Sequence, residues 1–171
     1  LYRLCGMLRF QSRWSHVHRV PETSVLGHML FVATLSYLFS IEIGSCKKRI
    51  INNYFTGLFH DLPEVLTRDI ISPVKGSPGL SELVKDYEKE QLEKEIYTLI
   101  PTTWHSEIKM YTENEFSNLI TKNNEIEYLD FDIPDKFNKD EYNPRDGKLI
   151  KSIDKLAAFI EANEAIKFSC T

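Results

Sequence analysis

The chain has 171 residues, of which 42% are hydrophobic and 27% charged, with a formal net charge of −4. That length suits one domain with a sizeable core. The mild acidity argues against a nucleic-acid polymer as the main partner, and no membrane association is expected. The longest apolar run, around Met29 to Phe39, is broken by Thr34 and Ser36 and reads as a buried helix rather than a bilayer span. Cys5, Cys46 and Cys170 are far apart and odd in number, which suits neither a disulfide framework nor a cysteine-based zinc site. A reducing, cytoplasmic setting is the simplest expectation. The chain starts at Leu1 inside a periodic pattern, without a visible signal peptide, and reads as a piece of a longer protein.

Leu1, Leu4, Cys5 and Leu8 recur at helical spacing. Phe10 to Pro21 loses that period and carries Arg13, Trp14, His16, His18 and Arg19, a basic loop. Thr23 or Ser24 can cap the next helix. Val25 to Ile43 is apolar nearly all round and should be central, with His28 one turn inside it. Gly44-Ser45 stops it. Lys47 to His60 predicts another helix, with Ile50, Ile51, Tyr54, Phe55 and Leu58 inward. Pro63 suits the first turn of a short helix running through Glu64 to Asp69. Ser72 to Gly79 is turn chemistry.

Leu80 to Ile100 predicts one long amphipathic helix, and its face bearing Lys85, Glu88, Lys89, Glu93 and Lys94 reads as exterior. Thr102 can cap a further helix carrying Trp104, Ile108, Met110 and Tyr111. From about 110 to 147 the pattern weakens. Asp130 to Asp146, rich in Asp, Asn and Pro, suggests a surface loop or insertion. Leu149 to Phe168 closes the chain as a helix, with Asp154 in its apolar stripe. Strand signals are weak. The expectation is an all-α fold, a single compact helical bundle across residues 1–171.

The chemistry lies in polar residues set among apolar ones. His28 stands in the central helix, His60-Asp61 ends the next, and Asp154 lies in the last. Two imidazoles and two carboxylates make a mixed nitrogen and oxygen site suited to Mn²⁺, Co²⁺, Fe²⁺, Ni²⁺ or Zn²⁺. Open positions around such a metal are what make it catalytic. The His60-Asp61 doublet alone would more readily be a helix terminus, with His60 near the dipole and Asp61 as a cap. The ordered set of four carries the weight.

That set, His28, His60-Asp61 and Asp154, resembles the pattern of the HD superfamily of metal-dependent phosphohydrolases. Arg13-Trp14, Pro21 to Val25, Glu64-Val65-Leu66-Thr67, Asp69, Pro73-Val74-Lys75 and Asp154-Lys155-Leu156 resemble its 5′-deoxynucleotidase (YfbR-like) branch. The resemblance covers about Arg9 to Pro101 and resumes near Leu149. It implies that His28, His60, Asp61 and Asp154 bind a divalent metal. Glu64 would position or deprotonate the attacking water, with Asp69 orienting groups nearby. Arg13 would hold the substrate phosphate, Lys75 is a second phosphate candidate, and Trp14 would pack near the sugar and disfavour a 2′-hydroxyl. The implied substrate is a small phosphate ester, a nucleoside 5′-monophosphate. Two alternatives stay open: a phosphodiesterase or nucleotide-signal hydrolase, and a non-catalytic metal- or nucleotide-binding regulatory module. Many relatives carry an acidic residue before the first histidine, whereas this chain has Gly27. A homodimer through helical faces is compatible with the apolar character of Val25 to Ile43.

Overall fold

A computed structural model describes residues 2–14, 20–67 and 79–168. The fold is mostly helical. Helix α1 (Tyr2–Met7) leads to α2 (Val25–Glu42), which opens on Ser24, whose Oγ accepts the Gly27 N–H at 3.1 Å. Gly44 ends that segment at φ +67°, a conformation that suits glycine. With 18 residues and a mean hydropathy of 1.5, α2 is long and apolar enough to cross a membrane by that measure alone. This corrects the expectation that no stretch qualifies. In the fold, however, one stripe of α2 is packed inward: Val25, His28, Met29, Val32, Ala33, Ser36 and Ser40. Leu30, Tyr37, Leu38 and Ile41 on its other side are exposed, so α2 is central on one face only.

Helix α3 (Lys47–Phe59) packs along α2. Its buried face is polar, made of Arg49, Asn52, Asn53 and Thr56 with Gly57. Ile50, Ile51, Tyr54 and Leu58 are only half-buried, and Phe55 is exposed. The predicted apolar inner face is therefore overturned, and the reason is residues 138–146, which fold across this face. Asn138 and Asp140 accept the Cys46 and Lys48 N–H groups at 2.9 and 2.8 Å, satisfying open donors at the start of α3. Asn52 donates to the Pro144 carbonyl at 2.9 Å, and Asn53 accepts the Asp146 N–H at 2.8 Å. Arg49 pairs with Asp146. Asp146 also accepts the Leu149 N–H at 3.1 Å, capping the last helix, α7 (Gly147–Phe168). The acidic tract expected to be a solvated loop thus ends in buried structure, and its Asp and Asn residues serve as caps.

Between these lie α4 (Glu64–Thr67), α5 (Leu80–Gln91) and α6 (His105–Thr112). The helix predicted to run on to Ile100 loses its α geometry after Gln91, widening over Leu92–Ile96 and tightening over Tyr97–Leu99. A hairpin of β1 (Asn118–Lys122) and β2 (Glu125–Leu129) adds a small antiparallel sheet in which Asn118 faces Leu129. Its turn, Asn123-Asn124, has φ of +51° and +64°, as a tight hairpin requires.

Two apolar clusters flank the region of interest. Leu8, Val25, Met29, Leu62, Val65 and Ile96 pack on one side, and Val32, Ile150, Ile153 and Ala157 on the other. On α2, His28 lies between Val25 and Met29 of the first cluster and one turn before Val32 of the second. A Cβ at Gly57 would sit 3.0 Å from the Ala33 Cα, so glycine allows α3 to approach α2 backbone to backbone. That approach brings His60 beside His28.

Candidate metal centre

Three elements deliver the polar cluster. α2 supplies His28, the turn after α3 supplies His60 and Asp61, and α7 supplies Asp154. The two imidazole rings lie 5.5 Å apart. Each has one nitrogen committed. His60 Nδ1 donates to the Gly57 carbonyl at 2.9 Å. His28 Nδ1 lies 2.8 Å from Glu161 Oε1, and because an ionised carboxylate only accepts, Nδ1 carries the proton there. Both Nε2 atoms therefore turn to the shared centre.

His28 Nε2 is 3.0 Å from Asp154 Oδ1, and His60 Nε2 is 3.2 Å from Asp61 Oδ2. One ligand atom from each of His28, His60 and Asp154 lies within 4.8 Å of the others. Asp61 stands beside this trio, with Oδ2 3.9 Å from His28 Nε2. His60 Nε2 is buried without a hydrogen-bond partner among the described residues. Neutral imidazole lone pairs facing carboxylate oxygens repel them unless a positive charge lies between. This donor set and its orphaned nitrogen fit a divalent metal.

The titration behaviour points the same way. Burial pushes the His60 pKa down, but the Asp61 carboxylate more than offsets this and raises it to about 9. Burial likewise opposes a charged His28, yet its hydrogen bonds to Asp154 and Glu161 raise its pKa. Asp61 is held well below the usual carboxylate range: burial works against this, and His60, Arg13 and His28 outweigh it. The site thus keeps Asp61 ionised and attracts positive charge, whether protons or a cation.

Among the described residues, His60, Asp61 and Asp154, but not the fully buried His28, line a cleft of about 500 Å³. Glu64, buried at the start of α4, opens onto it next to His60 and Asp61. α3 stops at Phe59, and a turn over residues 60–63 precedes α4, so the chain does not run straight through Pro63. Arg13 also lines the cleft; Nη1 pairs with Asp61 at 3.1 Å, and Nε lies 3.6 Å from Glu161. Its segment is pinned to the start of α2, with the Arg13 N–H donating to the Thr23 carbonyl at 2.8 Å. Trp14 is not among the described residues lining the cleft. Its indole N–H donates to Glu161 at 3.3 Å, and its φ is +60°. A left-handed backbone at a bulky residue costs on the order of 1–3 kcal/mol and is held by its surroundings.

Of the mixed-charge face predicted as helix exterior, Lys85, Glu88 and Lys89 line the cleft together with Val84, while Glu93 and Lys94 are exposed as expected. The segment from Thr112 to Phe116 forms the opposite wall, and Lys89 reaches across to Glu113 at 3.9 Å. Burial pushes the carboxyl of Glu115 up. Glu161, Lys85 and Glu115 escaped the sequence reading. Only Glu161 had a visible signal, lying two helical turns beyond Asp154 on the same face. Asp69 and Lys75 lie outside the described residues.

A family model described as HD domain matches residues 5–170. The chain belongs to the HD domain family. HD domains are generally metal-dependent phosphohydrolases acting on phosphate esters. No curated protein matches the chain.

Proposed function

We propose that this HD domain is a phosphomonoesterase acting on (deoxy)nucleoside 5′-monophosphates. The observation that carries the reading is the cluster of His28 Nε2, His60 Nε2 and Asp154, with Asp61 beside it, next to a cleft lined by His60, Asp61, Asp154, Glu64 and Arg13. His28, His60, Asp61 and Asp154 would hold the metal. A divalent cation there supplies Lewis acidity, lowering the pKa of water and offsetting phosphoryl charge.

The chain's own groups do the rest. Glu64 takes a proton from the attacking water. Arg13, held by Asp61 and Glu161, keeps a guanidinium in the cleft lining where it balances phosphate charge. Asp69 orienting the water and Lys75 contacting phosphate are retained as assignments from the resemblance. A cleft of about 500 Å³ is in the range for a small ligand the size of a mononucleotide. Because Trp14 is turned to Glu161, selection against a 2′-hydroxyl is not assigned to it.

The test is phosphate release from a panel of deoxy- and ribonucleoside 5′-monophosphates with Mn²⁺ or Co²⁺, alongside a phosphodiester. Release from the monophosphates is expected. Metal bound with no release from any monoester would sink the proposal, and turnover confined to the diester would replace it with a phosphodiesterase.

A further inference from the structure

We infer that Glu161 is a positioning residue that fixes His28 for metal binding and ties it to the Arg13-Trp14 segment. This inference rests on the metal reading above. Glu161 is a buried glutamate in the middle of α7, a costly placement unless its carboxylate is fully engaged. One oxygen, Oε1, accepts from His28 Nδ1 at 2.8 Å. The other, Oε2, accepts the Trp14 indole N–H at 3.3 Å and lies 3.6 Å from Arg13 Nε. Arg13 continues to Asp61 at 3.1 Å, and Asp61 Oδ2 returns to within 3.9 Å of His28 Nε2. The contacts close a ring through His28, Glu161, Arg13 and Asp61.

Two consequences follow from that ring. With Nδ1 donating to Glu161, the fully buried His28 ring has a set tautomer and a set orientation, with Nε2 at the centre. An anionic acceptor also makes the imidazole a stronger donor to a cation than a neutral one would. A carboxylate serving only to anchor Arg13 would leave the behaviour of His28 unchanged, and this separates the two roles.

The test titrates wild type, Glu161→Gln and Glu161→Asp with Zn²⁺ against a competing chelator, with thermal unfolding in EDTA as a control on folding. Glu161→Gln should weaken Zn²⁺ binding by about 10–100-fold, and Glu161→Asp, which keeps the charge but shortens the reach, should fall between it and wild type. In Zn²⁺-loaded wild type, ¹⁵N NMR should show the His28 proton on Nδ1. Since any Nε2-bound histidine has its proton there, the deciding reading where the variants do not fold is that proton's shift: far downfield and slow to exchange if Glu161 accepts it, and an ordinary, rapidly exchanging proton overturns the inference. Zn²⁺ affinity of Glu161→Gln within about threefold of wild type overturns the inference and leaves the metal reading standing, whereas a His28 proton on Nε2 means that Nε2 holds no metal and overturns both. No Zn²⁺ binding by wild type removes both.

Discussion

Arg145 is fully buried, and its guanidinium gathers backbone carbonyls that shape one wall of the cleft. It donates to Met110, to Asn114 at 2.6 Å, to Ser117 at 3.0 Å and to Glu113 at 3.4 Å. Among the described residues no carboxylate forms an ion pair with it, and burial lowers its pKa to about 10, still charged at neutral pH. Its backbone pairs with Leu119 in both directions at 3.0 Å, joining the wall to β1. Replacing it by Met keeps the apolar stem and removes every donor. Hydrogen bonds from a charged group contribute about 1.5–3 kcal/mol each, so losing the two well-formed ones at Asn114 and Ser117 costs roughly 3–6 kcal/mol. Relief of a desolvated charge returns part of this, leaving about 2–5 kcal/mol. Domains of this kind have about 5–15 kcal/mol in total, so Arg145→Met should be seriously weakened. Urea unfolding should show a lower midpoint, and Arg145→Lys, with three donors on a shorter reach, should lie between. Where the variant stays folded, the KM for a nucleoside monophosphate should rise. A loss below about 1 kcal/mol with unchanged KM would refute the assignment of Arg145 as the organiser of this wall.

Other outcomes follow from the site. Glu64→Gln should lower turnover by about 10²–10⁴-fold while metal affinity stays near wild type, read by phosphate release and calorimetry; unchanged turnover would remove Glu64 from the chemistry. Gly57→Ala places a Cβ 3.0 Å from Ala33 Cα, so it should cost about 1–3 kcal/mol of overpacking, less up to about 1 kcal/mol from better helix propensity. A net loss with weakened metal binding is expected from denaturant and metal titrations, and a stabilised variant would contradict the close approach. With metal removed by chelator, His60 stabilises the fold fully below its unfolded pKa of about 6.5, and this contribution is lost as pH rises through about 9. Metal binding must release that proton, so affinity should tighten by up to about tenfold per pH unit in this window. A pH-independent affinity between 6.5 and 9 would show that His60 is not a ligand.

Much of the helical frame was legible because its signals are local. Ser24 as a cap, Gly44 as a stop and Pro63 after a helix end act through their immediate backbone. The metal-type residues were legible because His28 and Asp154 interrupt apolar stripes on α2 and α7, and His60-Asp61 follows directly on the apolar end of the α3 sequence. What escaped depends on partners distant in sequence. Asn52 and Asn53 look like solvent-facing residues until residues 143–146 fold over them. Lys85 and Glu88 look like a helix exterior until residues 112–116 stand opposite and make a cleft. The hairpin escaped for another reason: Asn118, Leu119 and Ile120 are all buried, so β1 does not alternate, and β2, though it alternates as Glu125-Ile126-Glu127-Tyr128, is five residues long and exposed up to Leu129. Glu161 lies two turns beyond Asp154 on the same helix face, but its role shows only in its contact with His28 from the opposing helix.

The central claim is that His28, His60, Asp61 and Asp154 form one metal centre. Anomalous diffraction from crystals grown with Mn²⁺ or Co²⁺ tests it most directly. One strong peak is predicted, within about 2.0–2.3 Å of His28 Nε2, His60 Nε2 and the facing oxygens of Asp61 and Asp154. A peak elsewhere, or a fully loaded metal that leaves His28 Nε2 unbound, would contradict the account.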